Sequence, residues 1–127
     1  DFRDNHEIER QANHKNGFEI HHLNIIGDQQ IGQANPSQLM ARQQEADPKD
    51  MMIELYRHII NSPHSQLEYT RFFEILLETD TPVYFHCSAG KDRTGLAAAF
   101  LLKALGASDE DIYEDYLLTN ELSRPNI

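Results

Sequence analysis

The 127-residue chain has one cysteine and no tryptophan. One cysteine cannot close an intramolecular disulfide, so a disulfide-built scaffold is excluded and a reducing compartment is favoured. The cytoplasm is the expected location; secretion stays open, because the chain starts with Asp1 and not methionine. No run approaches the roughly 18 consecutive apolar residues of a membrane span. Basic residues are scarce too: 11 Lys plus Arg stand against 21 Asp plus Glu, a formal net charge of −10. That field repels nucleic acid and anionic membrane surfaces, so an anionic ligand needs a local basic site. Neither a nucleic acid partner nor stable membrane insertion is expected. His6, His14, His21, His22, His58 and His64 do not fall at metal-ligand spacing. His21 and His22 would point to opposite faces of a strand. No metal and no other cofactor is expected.

What is present is helical periodicity between a few β-type runs. Residues 17–26, GFEIHHLNII, read as a strand ending at Gly27. Residues 81–86, TPVYFH, read as a buried strand with Pro82 at its start, and DFR at 1–3 is a candidate third. Apolar residues at 52, 55, 56, 59 and 60 have helical spacing. A second amphipathic helix covers 62–78. It has two start signals, Ser62 before Pro63 and the capping-box pair Ser65 and Glu68, and the sequence leaves both open. Residues 94–106 form a very apolar, buried helix closed by Gly106, and Ser108 with Asp111 opens a final helix. The polar stretch 27–50, with Pro36 and Pro48, reads as a lid or a long connection. The order predicts an α/β domain, a mostly parallel sheet flanked by helices. Two confident strands are few for such a sheet. The expectation is one domain over residues 1–127, incomplete at its N-terminus and part of a longer domain.

The chemistry gathers in HCSAGKDRTG, residues 86–95, between the second strand and the apolar helix. Ligands of open α/β sheets sit beyond the carboxyl ends of strands. The start of the following helix offers unpaired N–H groups and partial positive charge. Gly90 and Gly95 let the backbone approach something closely, Arg93 adds a fork for phosphate-type oxygens, and Lys91 is a second cation. All surround Cys87, and an electropositive setting of this kind favours the thiolate. A nucleophile beside several anion donors suits attack on an oxyanion centre such as phosphorus. A Walker-type nucleotide loop is rejected: Phe85 and Asp92 stand where it needs glycine and Ser or Thr.

HCSAGKDRTG resembles the His-Cys-x5-Arg-Ser/Thr signature of cysteine-dependent protein tyrosine phosphatases. Its AGKDRTG form is similar to a bacterial and fungal subgroup with dual-specificity members able to act on phosphoinositides. DFRDNHE (1–7) and DYLLTN (115–120) resemble two further segments of that subgroup. The resemblance implies hydrolysis of phosphomonoesters on phosphotyrosine or other phosphoprotein residues, and on phosphoinositides, without a metal. It makes Cys87 the nucleophile and Arg93 the phosphate grip. The N–H groups of Ser88, Ala89, Gly90, Lys91, Asp92 and Arg93 complete the cradle. His86 supports the loop, and Thr94 places a hydroxyl near the sulfur. Asp92 is the implied general acid, with Asp28 as the alternative, since the usual tryptophan-marked acid loop is absent. Lys91 is expected to bind additional phosphate or pair with Asp92, and Arg3 and Glu7 to pair with each other. Two other readings compete: a non-catalytic module that binds phospho-ligands, and a sulfur-transfer protein, whose loops are typically shorter between Cys and Arg.

Overall fold

The computed structural model describes residues 1–13, 16–27 and 47–123. The described chain is built of helices: α1 (Asn5–Arg10), α2 (Pro48–Asn61), α3 (Pro63–Glu78), α4 (Asp92–Ala104), α5 (Asp109–Leu117) and the short α6 (Thr119–Leu122). It divides into two compact units, Asp1–Tyr84 and Phe85–Ile127. No helix is long and apolar enough to cross a membrane among the described residues.

The expected parallel sheet is not there: among the described residues no strand forms. Residues 21–25 do run beside 1–3. The Leu23 N–H donates to the Asp1 carbonyl at 2.8 Å, the Ile25 N–H to Phe2 at 3.4 Å, and the Asp1 nitrogen to the His21 carbonyl at 3.0 Å. The ladder goes no further because side chains take the backbone groups that would extend it. The Asp1 carboxylate accepts from the Arg3 N–H at 3.1 Å, and His22 Nε2 donates to the Arg3 carbonyl at 2.7 Å. His64 Nε2 donates to the Asn24 carbonyl at 2.7 Å, and the Ser65 hydroxyl to the Ile25 carbonyl at 2.6 Å. Residues 81–86, expected as a buried strand, form no strand: after a bend at Thr81 they carry no regular structure. Tyr84 is 82% exposed, which a strand covered on both faces would not allow.

The helices follow their local signals. Asp47 caps α2 by accepting from the Lys49 N–H, with Pro48 in its first turn. Ser62 is the cap of α3: its hydroxyl accepts from the Ser65 N–H at 3.3 Å, with Pro63 following. Ser65 is therefore not a cap. It is fully buried and ties α3 to residue 25. The sequence reading missed α1. Asp4 and Glu7 form a complete capping box there, each side chain accepting from the other's N–H, at 2.8 and 3.1 Å. Glu7 is thus a capping residue. Arg3 does not take it as partner in the expected pair. The Arg3 guanidinium instead binds the Asp1 carboxylate twice at 2.9 Å, the Gln11 carbonyl at 2.7 Å and Asn13 at 3.2 Å.

In the first unit α3 presents Tyr69 and Phe72 to Phe2, with ring centroids 5.9 and 5.4 Å apart in edge-on geometry. Leu23, Ile25 and Ile59 complete this core. Each such side chain, fully buried, contributes about 1.5–3 kcal/mol. In the second unit α4 ends in a Schellman motif. The Ala107 N–H reaches the Leu102 carbonyl at 3.0 Å, the Gly106 N–H reaches Lys103 at 3.1 Å, and Gly106 has φ +89°. Ser108 then caps α5 by accepting from the Asp111 N–H at 3.1 Å. α4 was expected to be buried. It is half-buried along most of its length, with only Ala97 fully enclosed, because no sheet covers it.

Candidate active site

The second unit opens with the extended residues that lead into Cys87, a bend over 88–91, and α4. Gly90 takes φ +67°, a left-handed conformation that glycine adopts without steric cost. A Cβ there would meet nothing within 4 Å, so conformation and not crowding calls for this glycine. The bend folds the chain back so that the first turn of α4 faces the thiol.

Cys87 is 6% exposed, while Ser88, Ala89, Gly90 and Lys91 beside it are exposed. Burial by itself pushes the thiol up. The Thr94 hydroxyl, the Thr94 N–H, the Arg93 guanidinium charge and the Gly90 N–H act against it and prevail, so the thiol lies below its ordinary range. Thr94 Oγ1 is also a buried oxygen without a hydrogen bond of good geometry. The hydroxyl lies near enough to the sulfur to favour the thiolate, without the alignment of a well-formed hydrogen bond.

Three of the sequence-derived site residues, Thr94, Arg93 and Gly90, thus converge on Cys87. His86 touches the loop through Nδ1, which donates to the Cys87 carbonyl at 3.2 Å. Lys91 occupies the N-cap position of α4 and makes no side-chain cap. Asp92 is the first residue of α4 and half-buried. Neither Lys91 nor Asp92 is among the groups that act on the sulfur. Asp28 and most of the 27–50 stretch lie outside the described residues. Among the described residues no cluster of three or more His, Cys, Asp or Glu side chains is placed to hold a metal ion.

One contact of the site was not foreseen. Gly95, in the first turn of α4, lies against the ring of Tyr116 from α5. A Cβ at Gly95 would stand 2.8 Å from Tyr116 Cε2 and 3.3 Å from Cδ2. Gly95 serves close approach and Gly90 serves backbone conformation, a division the sequence does not reveal. The signal that was available is the spacing of Ile112 and Tyr116. They are four residues apart and both half-buried, between neighbours that are exposed.

Two curated relatives are similar over parts of the chain. A tyrosine-protein phosphatase of Nostoc commune is 40% identical over 57 residues, 44% of this chain and 19% of the relative. The triple specificity protein phosphatase PtpB of Mycobacterium tuberculosis is 48% identical over 46 residues, 36% of this chain and 17% of the relative. The matched segments therefore span less than a fifth of either relative's length. No solved structure matches the chain significantly. The model of the tyrosine phosphatase family matches residues 1–127, from end to end, and the chain belongs to that family.

Proposed function

We propose that the protein hydrolyses phosphomonoesters through a cysteinyl-phosphate. The observation that carries this reading is the convergence of Thr94, Arg93 and the Gly90 N–H on a thiol held below its ordinary range. A thiolate is the nucleophilic form, and the same groups suit an incoming phosphoryl oxygen.

In the first step the Cys87 thiolate attacks phosphorus and the bond to the ester oxygen breaks. Arg93 holds two of the equatorial oxygens by its fork, with the N–H groups of the 88–93 loop around them. The leaving oxygen takes a proton from Asp92, which stands at the start of α4 within the same loop. In the second step water attacks the phosphocysteine and gives its proton back to the Asp92 carboxylate. Inorganic phosphate leaves, and the thiolate is restored with the Thr94 hydroxyl turned toward it. His86 steadies the loop through the Cys87 carbonyl. Lys91, exposed beside the loop, would take a further phosphate on the substrate.

The substrates proposed are phosphotyrosine and other phosphorylated side chains of proteins, in line with the names of the two relatives. Phosphoinositides are the extension that Lys91 suggests. The competing reading is a module that binds phospho-ligands without turnover. Phosphate release from an aryl phosphate, measured for the parent, Cys87→Ser and Asp92→Asn, separates them. Turnover lost in Cys87→Ser is the expected result. A parent that binds vanadate but releases no phosphate would establish the binding module instead. Asp92→Asn is expected to remove the limb of the pH–rate profile on which rate falls as the acid ionises. If that limb persists, the acid is another residue.

A further inference from the structure

The Tyr116 contact reaches beyond packing between helices. Gly95 lies immediately after Thr94, which supplies two of the groups acting on Cys87. The Gly95 N–H donates to the Lys91 carbonyl at 3.0 Å, closing the first turn of α4 over the bend. Tyr116 is therefore one residue removed from the groups that hold the sulfur. Tyr116 is itself placed by the Gly106 turn and the Ser108 cap, which set the start of α5 relative to the end of α4. Lys103 and Asp109 tie the same corner. Gly95 is not left-handed, so its lack of a side chain has one visible use, admitting the ring.

We infer that Tyr116 is a positioning residue for the Cys87 loop: its ring edge, seated on Gly95, sets where the first turn of α4 stands and so where Thr94 and Arg93 meet the sulfur. This deepens the proposed phosphatase reading and names a residue distant in sequence on which that site depends. Substitutions at the contact should therefore move the thiol's ionisation as well as the protein's stability.

The test reads the thiol directly. The rate of iodoacetamide alkylation of Cys87 is followed against pH for the parent, Gly95→Ala, Tyr116→Ala, Tyr116→Phe and the double variant Gly95→Ala/Tyr116→Ala, with circular dichroism confirming the fold. A Cβ at Gly95 strikes the ring, so Gly95→Ala should move the midpoint to higher pH. Each unit of rise lowers the thiolate population at acidic pH about tenfold. Removing the ring in the double variant should return part of that loss. Tyr116→Ala alone should shift the midpoint in the same direction by less, and Tyr116→Phe, which keeps the ring edge, should lie nearer the parent than Tyr116→Ala does. The inference is overturned if Gly95→Ala leaves the profile in place, if the double variant is no better than Gly95→Ala, or if Tyr116→Phe behaves as Tyr116→Ala. Should Gly95→Ala fail to fold, Tyr116→Ala decides alone, and an unshifted midpoint there overturns it. Because alkylation needs no turnover, failure of the phosphatase reading would show in phosphate release and leave this result standing.

Discussion

The two units solve the problem of order differently. Residues 1–84 enclose Phe2, Leu23, Ile25, Ile59, Tyr69 and Phe72, and bury Arg3, Ser65 and Glu68 among them. Residues 85–127 enclose Cys87 and Ala97, and large apolar side chains stand exposed in both units, among them Phe18, Leu67, Leu77 and Tyr84 in the first and Leu105, Tyr113, Leu117 and Leu122 in the second. The first unit is held by apolar area. Caps and left-handed glycines occur in both units, but with fewer enclosed side chains the second depends on them more: a left-handed glycine in the bend, a Schellman turn, a serine cap and one glycine against a ring. The proposed chemistry sits in the unit with the smaller core. The residues from 88 to 91 beside the buried sulfur are exposed and offer little packing, so local hydrogen bonding takes over the positioning of the loop.

The largest effect that would sharpen this contrast is on activity. Cys87→Ser should reduce aryl phosphate hydrolysis to background while moving the urea midpoint little; a large fall in the midpoint would make Cys87 a packing residue first. Phe72→Ala is the opposite probe, since Phe72 is 3% exposed and touches Phe2. It should cost about 3–5 kcal/mol of stability in denaturant titration. Cys87 alkylation should keep its pH profile for as long as the protein stays folded, and a moved profile would end the division of labour. Ser65→Ala, which strips the Ile25 carbonyl of its hydroxyl partner, should cost about 1–3 kcal/mol by the same measurement. A cost near zero would mean that the carbonyl finds another donor. The smallest effect concerns pH. The folded state holds the Cys87 thiol below its ordinary value, so it binds the proton less well than the unfolded chain. Stability from this group is complete above the unfolded thiol's pKa and is lost as pH falls through the folded one. Chemical denaturation just below the pH at which the unfolded thiol ionises should show a slope in the parent that Cys87→Ser lacks.

The helices were legible because their signals are local. Ser62 with Pro63 and Ser108 with Asp111 each act within one turn, and so do Asp47 and Pro48, which were read as part of the 27–50 connection although they open α2. The capping box of α1 was equally local, but Glu7 was assigned to Arg3 and the short helix went unseen. The strands were misread for a non-local reason. Isoleucine-rich alternation marks a chain that wants extended neighbours, yet Asp1, His22, His64 and Ser65 bind the very backbone groups a neighbour would use. Cys87 and Arg93 stood out because seven consecutive positions carry both nucleophile and anion grip. Tyr116 did not, since nothing in DYLLTN says that its ring will rest on a glycine twenty-one positions earlier.

The start of α4 has one more consequence. Asp4, Asp47, Ser62 and Ser108 each lend a side-chain oxygen to the helix that follows, whereas Lys91 lends none to α4. An anion held over the loop would supply the oxygens that this helix does not take from its own sequence. It would then be, in the accounting of the fold, the cap of α4. Occupancy and helix order become two readings of one equilibrium, and a tightly held oxyanion should slow amide exchange in the first turn of α4 as it fills the site.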